Sequence, residues 1–366
     1  MPCAIGKSTA SARTTARTSW KRAIVALAAL AIAPVPAVGC AGPDAAGFIP
    51  QASGGDVGQS LEQDFTRVVK ASLPSIVEIA SQSGIGSGVI FDDKGDIVTN
   101  AHVVGRSTQF QVRTSAGTQQ FVATLVGSYP PEDLAVIRVQ GAANLKPAKF
   151  GRSSTLEVGD IVLAMGNPLG LDATVTDGLV SKLGRTIQEP PSPDMPGALL
   201  RQAIQTSAPI NPGNSGGALV NLNGEVIGIP TLTAVNPELG GTAPGIGFAI
   251  PSDTATDVAG QIVANGRVVN SKRAALGVSI STVIDQSGQP VGVGIFDVVP
   301  GGPAANAGLQ NGDVITKVDD APVTTAQRLQ EVLATHKPGD TVHITIIRPP
   351  GETKTVTATL GELAAS

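Results

Sequence analysis

At 366 residues, 42% of them apolar and 15% charged, the chain is too long for one ordinary domain and apolar enough to fill two or three cores. The formal net charge is −4, and five basic residues (Lys7, Arg13, Arg17, Lys21 and Arg22) precede the first acid, Asp44; beyond them 20 basic residues face 29 acidic ones, which leaves no basic patch for nucleic acid. With 44 glycines and 27 prolines set between runs of Val, Ile and Thr, the composition favours many short strands and a mostly β protein. Three scattered histidines and no H-E-x-x-H motif offer no metal cage, and no cofactor is expected.

Residues 1–40 read as an export signal, a basic stretch followed by the apolar run Ala23 to Val35. Ala37-Val38-Gly39-Cys40 resembles a lipobox, making Cys40 a lipidation site. A plain cleaved signal and an uncut anchor remain open, although Pro34 and Pro36 make a poor spanning helix. Cys3 and Cys40 are the only cysteines, so loss of the leader leaves no disulfide and stability must come from packing. Residues 41–63, rich in Gly, Ala, Ser and Gln, read as a flexible tether. Leu61, Phe65, Val68 and Val69 then fall at helical spacing before Pro74.

From Ser75 the pattern turns to strands: Ile76 to Ile79, Gly86 to Phe91 and Gly95 to Asn100, split by turns. Gly84, Gly86 and Gly88 do not fit a dinucleotide fingerprint. His102 ends the third strand ahead of a Val-Val pair. By contrast, His343 alternates with threonines in a solvent-facing strand and His336 precedes a turn. Asp133 leads directly into the strand Leu134 to Val139, where a fixed carboxylate can hold an imidazole in one tautomer.

The stretch Ile210 to Leu219, Ile-Asn-Pro-Gly-Asn-Ser-Gly-Gly-Ala-Leu, sets Ser215 among three glycines, a backbone bent to expose one hydroxyl beside converging N–H groups. Gly213 to Gly217 also fits a G-x-S-x-G elbow. An elbow, however, needs a following helix and a downstream histidine, and here the hairpin turn Asn221 to Gly224 follows instead. The order His102, Asp133, Ser215 is that of chymotrypsin. Residues 185–199 read as a long irregular loop. Residues 252–266 read as a helix capped by Ser252 or Asp253 and ended by Gly266, and residues 267–273 as a polar hinge or linker.

Thr99-Asn100-Ala101-His102-Val103, Asp133-Leu134-Ala135-Val136, Gly166-Asn167-Pro168-Leu169-Gly170, Gly213 to Leu219, Asn223 to Ile229 and Gly245 to Pro251 together resemble the bacterial HtrA/Deg serine proteases. The resemblance implies two six-stranded antiparallel β-barrels of chymotrypsin type over residues 64–266. His102, Asp133 and Ser215 would be catalytic in the cleft between them, with an oxyanion hole from the N–H groups of Gly213, Asn214 and Ser215. It places a regulatory loop within 185–199 and an S1 pocket at Ile210, Thr231, Thr233 and Ala234. No carboxylate precedes the serine in Thr206 to Ile210, so small or medium apolar side chains are expected in that pocket. Ser207 and Pro230 depart from the family's common Asp and Asn.

Residues 274–362 resemble one small α+β PDZ domain. The N–H groups of Leu276, Gly277 and Val278 would take a C-terminal carboxylate, and Leu329 and Val332 or Leu333 would line the groove. The expectation is a cell-envelope serine endopeptidase, exported and either membrane-anchored or secreted. It would cut misfolded or signalling proteins, answer to C-terminal peptides and, by the resemblance, form a homotrimer. A non-hydrolytic chaperone or peptide-binding adaptor is the alternative.

Overall fold

A computed structural model describes residues 56–363, apart from 83, 116–118, 142–144, 168–172, 190–196, 212 and 237–240; the leader, Cys40 and most of the tether lie outside the described residues. The apolar spacing of Leu61, Phe65, Val68 and Val69 belongs to α1 (Asp56–Ser72), which begins inside the stretch read as a flexible tether, so residues 56–63 are helical instead; the helix buries Val68 fully and packs Phe65 and Val69 on the core. Pro74 lies in the short 3-10 turn that ends it.

Six strands follow: β1 (Ile76–Ala80), β2 (Ile85–Ile90), β3 (Asp96–Thr99), β4 (Gln109–Thr114), β5 (Gln120–Tyr129) and β6 (Leu134–Val139). They close into an antiparallel barrel in the order β1-β2-β3-β6-β5-β4. Its interior holds Val77, Ile79, Ile90, Ile97, Val112 and Ile137, the alternate positions of each strand. A four-residue helix, α2 (Ala101–Val104), leaves the end of β3. The second barrel repeats the plan with β7 (Ile161–Gly166), β8 (Thr174–Glu189), β9 (Ala198–Thr206), β10 (Ala218–Asn221), β11 (Val226–Asn236) and β12 (Gly241–Pro251), in the order β10-β11-β12-β9-β8-β7. The protein is thus mostly β, with two closed six-stranded barrels ahead of a smaller α+β module.

Two expectations are corrected here. Residues 185–199 are not irregular throughout: β8 runs to Glu189 and β9 begins at Ala198, with Ile187 opposite Leu200, Gln188 opposite Leu199 and Glu189 opposite Ala198. Backbone pairing carries the hairpin well past the point where its polar composition suggested a loop. The closing helix α3 (Ser252–Asn265) has Pro251 at its N-cap; Ser252 Oγ donates instead to Gly151 O, and Asp253 accepts from Ser154 N. Its C-terminal end is as expected, with Gly266 left-handed at φ 72° and its N–H on Ile262 O.

The segment read as a hinge is pinned: Val268 is fully buried and Arg273 is nearly so. Glu132, itself buried, accepts from Arg201 at 2.8 Å and pairs with Arg273 at 3.4 Å. Arg201 also donates to Lys272 O, and Arg273 to Pro131 O.

Beyond it lie β13 (Ala274–Ala275), β14 (Val278–Ile284), β15 (Pro290–Val298), α4 (Pro303–Asn306), β16 (Val314–Val318), β17 (Ala321–Pro322), α5 (Ala326–Leu333), β18 (Thr341–Arg348), β19 (Glu352–Thr359) and β20 (Gly361–Glu362). Their sheet runs β14-β15-β16-β18-β19, with α5 capped by Thr325 Oγ1. His343 is exposed on β18 as expected, its Nδ1 3.2 Å from Thr357 Oγ1.

This module has its own acid-sensitive tie. Burial works against the charge of Asp313, yet the Arg348 guanidinium grips both its oxygens at 2.7 Å and Gln310 N–H adds a third bond, which together hold its carboxyl below the usual value. A depressed carboxylate contributes stability that is present above its unfolded-state value, near pH ~3.9, and lost as pH falls through the lower folded-state value. Melting curves taken downward from pH 5 should show that loss, and Asp313→Asn, already without it at neutral pH, should flatten it.

Candidate active site

The barrel built first brings an imidazole and a carboxylate together. Strand β3 pairs with β6, Thr99 opposite Ala135, so the residues just past one end and just before the other become neighbours. His102 lies in α2, and Asp133 follows the 3-10 turn Pro130–Glu132. Asp133 takes the left-handed conformation, φ 51° and ψ 42°, which for a residue with a Cβ costs roughly 1–2 kcal/mol. Hydrogen bonds hold it there: its N–H to Pro130 O, its carbonyl from Asn100 Nδ2 at 3.0 Å, and its Oδ1 from the His102 backbone N–H at 3.0 Å.

His102 Nδ1 donates to the Asp133 carboxylate, 2.9 Å from Oδ2 and 3.1 Å from Oδ1. Thr231 Oγ1 donates to the same Oδ2 at 2.6 Å. With Nδ1 tied down, the neutral ring presents Nε2 as its basic atom. Burial by itself would lower the imidazole's proton affinity, but the Asp133 hydrogen bond and charge, joined by the charge of Glu189, raise its pKa above the ordinary 6.5. Among the described residues His102, Asp133 and Glu189 are the one group of three potential metal donors, all within 4.8 Å. His102 Nδ1 and Asp133 are already spent on each other, so the arrangement is that of an oriented base.

The second barrel supplies the hydroxyl. Ser215 lies in the turn ahead of β10, between Gly213 at φ 103° and Gly216 at φ 80°. A Cβ on Gly216 would strike Ser87 O and Thr99 Oγ1 of the first barrel, and one on Gly217 would strike Met165 O of β7. The turn is therefore wedged between the barrels, and Ser87 N–H donates to Ser215 O at 2.9 Å across the seam. Ser215 Oγ donates to Thr231 O at 3.1 Å and makes no hydrogen bond to His102. The Asn214 N–H is committed to Asn211 O at 3.0 Å, whereas the N–H groups of Gly213 and Ser215 have no partner among the described residues. Of the three donors expected to form an oxyanion hole, Asn214 is thus the one spent on its own turn.

Residues 86–229 match the model of a trypsin-like peptidase domain and residues 274–360 that of a PDZ domain. The chain is 38% identical over 267 residues to the serine endoprotease DegS of Escherichia coli (strain K12), covering 72% of this chain and 73% of that one. It belongs to the HtrA/Deg family of serine proteases. It is also 41% identical over 317 residues to the serine protease PepD of Mycobacterium tuberculosis, covering 83% of this chain and 66% of that longer one. Among solved structures, the HtrA-type protease AlgW with decapeptide matches at TM-score 0.56 and 32% identity over 82% of this chain and 98% of that one. The serine endoprotease from Yersinia pestis matches at 0.55 and 36%, again over 82% and 98%.

As a member of this family the chain is a serine-type endopeptidase, and the structure locates the remaining expected residues. Ile210 is 5% exposed and packs with Ala208 and Leu219 in the second barrel. Thr231 turns its hydroxyl to Asp133, while its carbonyl accepts from Ser215 Oγ. The β11–β12 pairing shifts register between Pro230 and Leu232, next to this residue. The side chains of Thr233 and Ala234, like residues 168–170, lie outside the described residues.

A groove of about 620 Å³ is lined in the PDZ domain by Leu276, Gly277, Val278, Leu329 and Leu333. Val332 is not among them; it points into the PDZ core at 7% exposure, one helical position round from Leu333. The Leu276 and Gly277 N–H groups are unbonded among the described residues, with Gly277 left-handed at φ 71°. The opposite wall comes from the protease domain, including Gln188, Ala198 and Leu199 of the β8–β9 hairpin.

Sequence reasoning missed Ser87, Asn100 as a partner of Asp133, and Glu189, whose Oε1 lies 3.8 Å from His102 Nδ1. Only Asn100 had a signal to find it by, its place two residues before the histidine.

Proposed function

We propose that this chain is an exported endopeptidase in which Ser215, His102 and Asp133 form an acyl-transfer triad acting on unfolded or signalling proteins, with the PDZ groove taking C-terminal peptides that regulate it. The observation that carries the reading is the buried Asp133 carboxylate holding His102 Nδ1 at 2.9 Å, on the barrel facing the Ser215 turn. For the chemistry, Ser215 Oγ leaves the Thr231 carbonyl and turns to His102 Nε2, which accepts its proton as Oγ attacks a peptide carbonyl. The Gly213 and Ser215 N–H groups receive the developing oxyanion, and the His102 imidazolium then protonates the leaving amine. Water repeats the cycle on the acyl-enzyme.

The absence of a carboxylate from Thr206 to Ile210, with Ser207 Oγ accepting from Leu179 N, supports cleavage after small or medium apolar residues. Residues 1–40 support export and Cys40 a lipid anchor. No helix among the described residues is long and apolar enough to cross a membrane. The name of a relative, the periplasmic serine endoprotease DegP of Escherichia coli, agrees with an envelope location, and a trimer is the assembly we assign.

The test is degradation of an unfolded, casein-like protein with cleavage sites mapped, alongside fluorophosphonate labelling with and without C-terminal peptides. Labelling of Ser215 with cuts after Val, Ala or similar residues is the expected result. A chain that takes no label under any of these conditions is the adaptor instead, and a preference for Arg over Val overturns the pocket reading. A pH profile follows as well: since His102 must be neutral to act as base and its proton affinity is raised, the acid limb of kcat/KM should fall above pH 6.5.

A further inference from the structure

The triad leaves Glu189 unused. It is the last residue of β8, its side chain is 15% exposed, and its Oε1 lies 3.8 Å from His102 Nδ1, beyond hydrogen-bond reach but within ion-pair distance. No hydrogen bond satisfies its carboxylate among the described residues. A carboxylate that is mostly buried and has no donor loses part of its hydration, and a positive charge nearby offsets that loss. The charged groups that act on it among the described residues are His102 from α2 and Asp133 from the start of β6. On its own strand Arg185 is turned to Gln205. Among the described residues, His102 is the group paired with it that can become positive.

We propose that Glu189 is a second acidic partner of His102, a positioning residue that stabilises the imidazolium formed during acyl transfer and so sets the pH range in which the imidazole works as base. The inference deepens the proposed triad and rests on it. The two carboxylates differ in kind. Asp133 is fixed by hydrogen bonds from His102 and Thr231 and serves to orient the ring. Glu189 contributes charge alone, and that charge is conditional: burial first, then repulsion by Asp133, push its carboxyl up to about 7, against the pull of His102. Near neutrality His102 and Glu189 therefore take up protons as a linked pair.

Glu189 is also placed by the β8–β9 hairpin, whose adjoining residues Gln188, Ala198 and Leu199 wall the PDZ groove. The second charge thus stands one residue from the peptide site.

The experiment compares Glu189→Gln and Glu189→Asp with the unaltered full-length protein in two readouts. In kcat/KM profiles from pH 5 to 9, Glu189→Gln should lose about three- to tenfold near pH 8, where the imidazolium of the transition state lacks its second negative neighbour. Its acid limb should lie at lower pH, because an ionised Glu189 favours protonated His102. The ratio of variant to unaltered rate should therefore rise as pH falls, with Glu189→Asp between the two. An unaltered profile, or a loss of the same factor at every pH, overturns the proposal. The second readout needs no activity: with Ser215→Ala in place, the His102 ring is titrated by NMR with and without Glu189→Gln. The midpoint should move to lower pH, and one that stays put overturns the role of Glu189. Absence of hydrolysis by the unaltered protein would instead refute the triad, while the ring titration still reports on Glu189.

Discussion

Ser215→Ala should abolish peptide hydrolysis while leaving the fold in place, a loss on the order of 10⁴ to 10⁶ in kcat. Among the described residues the serine hydroxyl makes a single hydrogen bond, to Thr231 O at 3.1 Å, and that carbonyl lies on a strand secured by its own sheet pairing. Deleting the hydroxyl removes the nucleophile and little else, so thermal melting should move by less than a few degrees. Fluorophosphonate labelling should vanish with the activity. His102→Ala should lose about as much, since a nucleophile without its base and a base without its nucleophile fail alike. Hydrolysis by Ser215→Ala at the unaltered rate, in protein purified free of other proteases, would refute the assignment of the nucleophile.

The second large effect is expected at Gly216→Ala, although no reacting atom belongs to it. At φ 80° a Cβ costs roughly 1–2 kcal/mol from backbone conformation alone. The larger cost is spatial: the new methyl meets Ser87 O and Thr99 Oγ1, a backbone carbonyl and a buried hydroxyl that itself donates to Ser87 O at 2.7 Å. Neither can swing aside, so the seam between the barrels has to open, and with it the relation of Ser215 to His102. Activity should fall by two or more powers of ten, because misplacing a nucleophile by about 1 Å costs about 10²-fold. The readout is the rate of fluorophosphonate labelling set beside the melting temperature: a slow label in a still-folded protein places the damage in the alignment. Labelling at the unaltered rate would show that the seam is softer than its contacts indicate.

What could be read in advance followed the reach of each signal. Strands such as β1 to β3 were legible because alternation, and turn residues such as those of Asp92 to Gly95, are local properties; their closure into two barrels was implied only by the family resemblance. The positions of His102, Asp133 and Ser215 were legible because each lies in a short motif at a strand end. Glu189 was not, since its meaning comes from a contact across the fold and its neighbourhood looked like a loop; only pairing with Ala198 reveals the strand that carries it. The bond from Thr231 to Asp133 was not legible for a related reason, as it joins residues 98 positions apart beside a shift in strand register. Ser252 and Asp253 had the chemistry of caps, but the carbonyl of Gly151 and the N–H of Ser154 claimed them. Arg273 looked like a solvated linker charge until Glu132 supplied a buried partner.

That last pair bears on how the PDZ domain can be removed. Glu132 is the residue before Asp133, and its carboxylate is shared between Arg201 of the protease barrel and Arg273 at the threshold of the PDZ domain. A truncation ending at Gly266 discards Arg273 along with the PDZ domain. It leaves a buried acid with half its compensation next to the residue that orients His102. A truncation ending at Arg273 keeps that cation, although it loses the bond from Leu363 N–H to Arg273 O. Two such shortened proteases could differ in rate for reasons unrelated to peptide sensing, so the seven residues between the two end points decide whether a deletion reports on the PDZ domain or on the charge beside Asp133.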